Sequence, residues 1–208
     1  MDKLIENIQK RYEEESKTSC NLSCGSNLEY LQLNSGEKVL DLGCGRGKET
    51  ILAAKMVAPN GEAVGMDITE AMIAEANNNI YLEKLTNIKF VFGDINNIPF
   101  DNNSFDAVIS NCVINHAKNK LIVYKDIHRV LKPGGRFVIS DAVTKDPLPD
   151  DIKNDPVAWG ECFGGAITED EYLKSIEKAN FSKVEILKRR EYIKNGYDFI
   201  SLTIKAFK

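Results

Sequence analysis

The sequence contains no apolar run approaching the roughly 20 residues that a membrane-spanning helix needs, so no membrane association is expected. The N-terminal stretch MDKLIENIQKRYEEES is charged throughout and lacks the apolar centre of a signal peptide, so none is expected. Basic charge is not in excess. Lys and Arg number 27 against 31 Asp and Glu, a net charge of −4 with a pI near 5.4, which excludes a broad nucleic-acid-binding face. No internal repeat, low-complexity tract or Pro-rich linker divides the 208 residues, so one α/β domain is expected, able to bury about 70% of its unfolded surface. With 43% hydrophobic and 28% charged residues, the composition is that of a globular chain. Five cysteines without a secretion signal point to the reducing cytoplasm, where thiols stay available for chemistry or metal binding.

The patterning alternates strand and helix. Residues 2–17 read as a polar helix that cannot build a core alone and is expected to dock as a flap or lid, followed by a Ser-, Asn- and Cys-rich loop from Ser16 to Asn27. Lys38–Leu42 is a short buried strand running into Gly43-Cys-Gly-Arg-Gly47, with a helix from Lys48 to Val57 that stops at Pro59-Asn-Gly61. Strands are expected at Ala63–Met66, Ile88–Phe92, Phe105–Ser110 and Arg136–Ser140, with helices from Thr69, as N-cap, to Tyr81 and from Lys118 to Leu131. This order implies a mostly parallel sheet covered on both faces. Residues 142–166 read as an excursion with a short helix near Asn154–Trp159, and Thr168 caps a helix over Glu169–Ala179. Extended runs at Lys183–Tyr192 and Asp198–Phe207 flank Asn195-Gly196, the signature of an antiparallel hairpin. Three parts of a single domain follow: an N-terminal helix and loop over 1–36, a core over 37–141, and a substrate-side insertion with the hairpin over 142–208.

A glycine-rich turn between strand and helix is a nucleotide-site signal, although a tight turn alone also explains it. The dinucleotide fingerprint G-x-G-x-x-G fails here, because its last glycine would fall on Lys48 or Thr50, and no P-loop pattern exists. Asp41 beside the loop would repel a pyrophosphate but would welcome a ligand with a cationic end. Asp67 stands at the end of the second strand, 22 residues after Gly45. Asp41-Leu-Gly-Cys-Gly-Arg-Gly47, Asp67, Gly93-Asp94-Ile95 and Leu131-Lys-Pro-Gly-Gly135 together resemble the Rossmann-like S-adenosylmethionine-dependent methyltransferases over residues 38–141. The resemblance implies that fold, with S-adenosylmethionine as cofactor and Asp41, Gly43, Gly45, Asp67, Ile68, Asp94, Ile95 and Asn111 around it.

The acceptor is a separate question, because this fold hosts many. Oxygen and nitrogen acceptors usually need a general base, for which His116, just after the fourth strand, is placed best; Asp141 and Glu161 are nonspecific alternatives, and His128 reads as a surface or capping residue. Cys20 and Cys24 have the spacing of half a zinc site, with no second pair to complete it. Each cysteine alone also reads as a small buried apolar residue.

Three segments together say more. Leu22-Ser-Cys-Gly25, Ser110-Asn-Cys-Val-Ile-Asn115 and Trp159-Gly-Glu-Cys162 with Gly165-Ala166 resemble the arsenite methyltransferases. The resemblance implies that the thiolates of Cys24, Cys112 and Cys162 hold trivalent arsenic, while Cys20 and Cys44 do not. The sequence departs from that family at His116, where an apolar residue is usual, at Cys44, and in ending soon after the hairpin, short of the longer members. Arsenic(III) is soft and thiophilic. Held by three thiolates it keeps an outward lone pair, so its methylation needs orientation and exclusion of water rather than a base. Two alternatives stay open: a methyltransferase for a small organic acceptor with His116 as base, and a non-catalytic thiol-based metalloid binder. The expected partner is a small molecule, arsenite or its thiol conjugate, with no nucleic acid and no membrane.

Overall fold

The computed structural model describes residues 3–16 and 27–208. Along the β-strands, side chains alternate between two faces, and here both faces are apolar. Leu40, Val64, Val108 and Ile139 belong to one core cluster; their neighbours Val39, Ala63, Ala107, Ile109 and Val138 belong to another. A sheet with such strands must be covered twice. Helices α5 (Lys120–Val130) and α8 (Glu169–Glu177) cover the first face through Val123, Tyr124, Ile127, Tyr172 and Ile176. Helices α2 (Leu28–Leu31) and α3 (Lys48–Val57) cover the second through Leu28, Leu31, Ala53, Ala54 and Val57.

The strands are β1 (Lys38–Leu42), β2 (Glu62–Asp67), β3 (Ile88–Phe92), β4 (Phe105–Asn111), β5 (Leu131–Thr144), β6 (Ser182–Lys194) and β7 (Tyr197–Phe207). Their order in the sheet is β3-β2-β1-β4-β5-β7-β6. The first five run parallel, and β7 lies antiparallel between β5 and β6. The expected Rossmann-like architecture, mostly parallel with a C-terminal antiparallel hairpin, is therefore present. Asn195 and Gly196, with φ of 52° and 80°, supply the two left-handed residues that its turn requires.

Several boundaries shift for physical reasons. Strand β5 continues to Thr144, well past the expected Ser140, because its far end pairs with β7 as far as Phe199. Thr69 occupies the N-cap of α4 (Glu70–Glu83), but its side chain makes no capping bond and its hydroxyl is buried without a partner. Helix α5 begins at Lys120, after Asn119, whose side chain accepts from the Ile122 amide. The excursion carries two short helices, α6 (Asp150–Lys153) and α7 (Pro156–Gly160). The polar helix α1 (Lys3–Ser16) docks against α4 and α7, as a flap would.

Candidate active site

The strand order reverses between β1 and β4, and ligands of open α/β sheets bind outside the carboxyl ends of the strands at such a point. A cavity of about 730 Å³ opens there. All eight residues expected around the cofactor line it: Asp41, Gly43, Gly45, Asp67, Ile68, Asp94, Ile95 and Asn111. The loop after β1 is pinned to β2, with the Gly43 and Cys44 amides donating to the Met66 carbonyl at 2.7 and 3.0 Å. Gly43 has φ of 70°, and a Cβ there would fall 2.2 Å from Val113, so both conformation and space require glycine.

This half of the cavity is acidic. The buried Asp41 accepts from the Thr50 hydroxyl at 2.6 Å, and its carboxyl is pushed up to about 7 by burial and by the charge of Glu49. Asp67 accepts from the Gly45 amide on one oxygen and the Thr69 amide on the other, both at 2.9 Å; burial pushes it up and these bonds oppose. Glu49, which sequence reasoning missed, also lines the cavity. It accepts from the Asn27 amide at 3.1 Å and from the Asn111 amide group, and burial pushes it up too. Burial makes the charged form of all three carboxylates costly, and a cationic ligand among them would offset that cost. The ammonium and sulfonium of S-adenosylmethionine fit that donor set, and a pyrophosphate does not. Cys44 belongs to this half as a free thiol pushed well up by burial and by Asp41 and Asp67, consistent with a packing role.

The other half holds the remaining candidates. Cys112, immediately after β4, and Cys162, just beyond α7, both line the cavity. Both are non-glycine residues with left-handed backbone, φ 54° and 63°, a strained conformation that clusters at functional sites. Cys162 is a free thiol, whereas Cys112 is disulfide-bonded, so ligation by its sulfur requires reduction first. Cys20 and Cys24, with the whole Leu22–Gly25 segment, lie outside the described residues. Among the described residues, no group of three or more His, Cys, Asp or Glu is arranged to hold a metal ion.

Cys162 Sγ is 3.2 Å from His116 Nε2 and 3.0 Å from the Tyr12 hydroxyl, which is itself 3.1 Å from His116 Nε2. His116 is pushed down to about 4 by burial and by the positive charges of Arg11 and Lys120, so it is neutral at physiological pH. Burial pushes the Tyr12 phenol up, so it remains a hydrogen-bond donor. Cys162 is pushed up by burial, while the Tyr12 bond and the Arg11 charge pull the other way. Tyr12 and Arg11 escaped sequence reasoning because nothing in a polar helix says which element it covers. The one signal was the spacing of Ile5, Ile8 and Tyr12, a helical stripe that faces the cavity here. The other carboxylate candidates divide. Glu161 lines the cavity; Asp141 is fully buried and accepts from the Asn115 and Ala142 amides, both at 3.1 Å, and from the Tyr172 hydroxyl at 3.2 Å. His128 does not line the cavity; it is half-buried and packs edge-on against Phe181, ring centroids 5.2 Å apart.

A methyltransferase-domain family model matches residues 33–180. The chain belongs to that family. It is 41% identical over 170 residues to the arsenite methyltransferase of Halobacterium salinarum, covering 82% of this chain and 44% of that protein. It is 32% identical over 181 residues to a demethylmenaquinone methyltransferase of Staphylococcus aureus, covering 84% of this chain and 73% of that one. An arsenic(III) S-adenosylmethionine methyltransferase from Chlamydomonas reinhardtii superposes with a TM-score of 0.78 at 28% identity, over 97% of this chain and 73% of the other. The resemblance read from the glycine loop and the cysteine segments is borne out, and the cofactor that it implies is S-adenosylmethionine. The chain spans about half the length of the arsenite methyltransferases it matches in mouse and human. Among the described residues no helix is long and apolar enough to cross a membrane.

Proposed function

We propose that this chain transfers a methyl group from S-adenosylmethionine to trivalent arsenic held by the thiolates of Cys24, Cys112 and Cys162. The observation that carries the reading is that Cys112 and Cys162, each on left-handed backbone, open into the same cavity as Asp67 and the glycine loop. Similarity to arsenite methyltransferases over most of the chain supports it. Asp67 serves the ribose, Asp41 and Glu49 face the cationic end, and Asp94 and Ile95 serve the adenine edge; Gly43 and Gly45 give the backbone its close approach. The cofactor supplies an electrophilic methyl on a sulfonium.

The chain's own residues bind and orient the acceptor. Each As–S bond replaces an As–O bond, and the thiol proton leaves with the hydroxide as water. Three thiolates leave arsenic pyramidal with its lone pair free, so the acceptor needs no base. Helix α1 lines one side of the cavity with Ile5, Ile8 and Tyr12, which limits the approach of water to the acceptor from that side. Orientation of this kind contributes roughly 7–11 kcal/mol in well-aligned pairs.

One observation favours a second reading, a small organic acceptor: His116 lines the cavity as a neutral imidazole, a weak base there because burial and the charges of Arg11 and Lys120 oppose its protonation. The deciding experiment incubates reduced protein with arsenite, a thiol reductant and methyl-labelled cofactor. Methylated arsenic is the expected product. Arsenite binding without product indicates a metalloid binder, and neither binding nor product leaves the organic acceptor.

A further inference from the structure

Lys120, the first residue of α5, is only 4% exposed, an unusual place for an ammonium. Its Nζ donates to three backbone carbonyls: Ala117 at 2.7 Å, Asn115 at 3.3 Å and Gly165 at 2.5 Å. An ammonium has three N–H donors, and here all three find an acceptor. It also sits 5.5 Å from the centroid of the Trp159 ring. Two of the carbonyls belong to the turn after Cys112 that carries His116; the third belongs to the loop after Cys162.

Asn115 crosses the same junction. Its amide nitrogen Nδ2 donates to the Ala142 carbonyl at 2.6 Å and, more weakly, to the Cys162 carbonyl at 3.4 Å. The two segments are in close contact, since a Cβ on Gly165 would lie 2.0 Å from the Asn115 carbonyl oxygen and 2.6 Å from the Trp159 ring. A tightly packed junction between two loops, closed by a single buried cation, holds one fixed relative position.

We infer that Lys120 is the positioning residue of the acceptor site, its ammonium joining the turn that carries Cys112 and His116 to the loop that carries Cys162. The inference rests on the arsenite reading only for what the two sulfurs bind; the junction itself is independent of the acceptor. Lys120 touches no reacting atom. Its effect is to fix the separation of two sulfurs that must reach one atom, and to keep Cys162 against His116 and Tyr12.

The test compares Lys120→Met with the natural protein, both fully reduced. Iodoacetamide labelling, mapped peptide by peptide, reads Cys162 against Cys44 as an internal standard, and calorimetry reads S-adenosylmethionine affinity. The expected result is Cys162 labelling at least tenfold faster, Cys44 labelling and cofactor affinity within twofold, and an arsenite KM at least tenfold higher. Lys120→Ala should regain slow Cys162 labelling on addition of methylammonium, which donates three N–H bonds, and not of tetramethylammonium, which donates none. Unchanged Cys162 labelling, absence of methylammonium rescue, or cofactor affinity lost in step with Cys162 protection would each overturn the inference. If neither Lys120 variant folds, Gly165→Ala opens the junction with the ammonium in place, and normal Cys162 labelling in that protein overturns it equally. The labelling arm contains no arsenic. A protein that labels as expected but never binds arsenite leaves the junction standing and removes the arsenite reading.

Discussion

Asp67, the residue proposed for the ribose, already serves the protein. Its two oxygens already bond the Gly45 and Thr69 amides, fixing the glycine loop against the start of α4, and each oxygen retains acceptor capacity for a ribose hydroxyl. Asp67→Ala should therefore weaken S-adenosylmethionine binding by at least tenfold, since each charge-assisted bond contributes roughly 1.5–3 kcal/mol; calorimetry that finds affinity unchanged would remove Asp67 from the ribose site. His116 makes a second residue-level prediction. Its folded value of about 4 lies below the usual 6.5, so below that usual value the unfolded chain takes up the proton more readily. Stability is whole above pH 6.5 and declines as the pH falls through the window down to 4, by up to about 3 kcal/mol. Urea unfolding of the natural protein and of His116→Leu at pH 7 and pH 5 checks this. The difference in stability between the two pH values should shrink in the variant.

At the scale of elements, the helix ends and the flap carry the expectations. Helix α8 opens with a complete capping box, in which the Thr168 side chain accepts from the Glu171 amide while the Glu171 side chain accepts from the Thr168 amide. Thr168→Ala should cost about 1 kcal/mol in chemical unfolding, and Thr69→Ala, where no capping bond exists, should cost less. Helix α1 buries Ile8 but little other apolar surface, and polar links add to its attachment: Gln9 donates to the Ile68 carbonyl at 3.0 Å, Arg11 to the Gly160 carbonyl and Arg46 to the Glu15 carbonyl. An element so attached opens locally at low cost. Arg11→Ala should raise amide exchange over residues 3–16 by about tenfold, the equivalent of ~1.4 kcal/mol, while exchange in β1 and β4 stays at its natural rate. Equal acceleration everywhere would mean that α1 is part of the global core.

Over the whole molecule, the sheet's topological switch divides one cavity into an acidic half and a thiol-bearing half. The two halves meet at the end of β4, where Asn111 and Cys112 are adjacent, but Cys162 stands on a separate loop, so its loss should leave the acidic half intact. Cys162→Ser should abolish arsenite binding, read as loss of joint thiol protection, while S-adenosylmethionine affinity stays within about twofold, because sites without shared partners behave additively. In the reduced natural protein, arsenite should protect three thiols per chain together. Protection of only two, or arsenite methylation by Cys162→Ser at the natural rate, would replace the three-thiolate site with the organic-acceptor reading.

The fold was legible in the sequence because its signals are local. Lys38–Leu42 is short, apolar and followed at once by glycines; Asn195-Gly196 sits between two extended runs; Lys132-Pro-Gly-Gly135 ends a helix. Each depends on backbone preference and on neighbours within a few residues. That Asp41, Gly43, Asp67 and Asp94 share one cavity was legible for the same reason, since all stand at strand ends whose positions follow from the strands. The thiol half was only partly legible. Sequence segments singled out Cys112 and Cys162, but Tyr12 reaches Cys162 across 150 residues of chain and Lys120 reaches Gly165 across 45. A polar helix such as α1 and a lysine at a helix start look like solvated surface until tertiary packing buries them. Desolvation then decides their chemistry, lowering the proton affinity of His116 and obliging the Lys120 ammonium to find carbonyl partners, and desolvation is a property of what surrounds a residue in space.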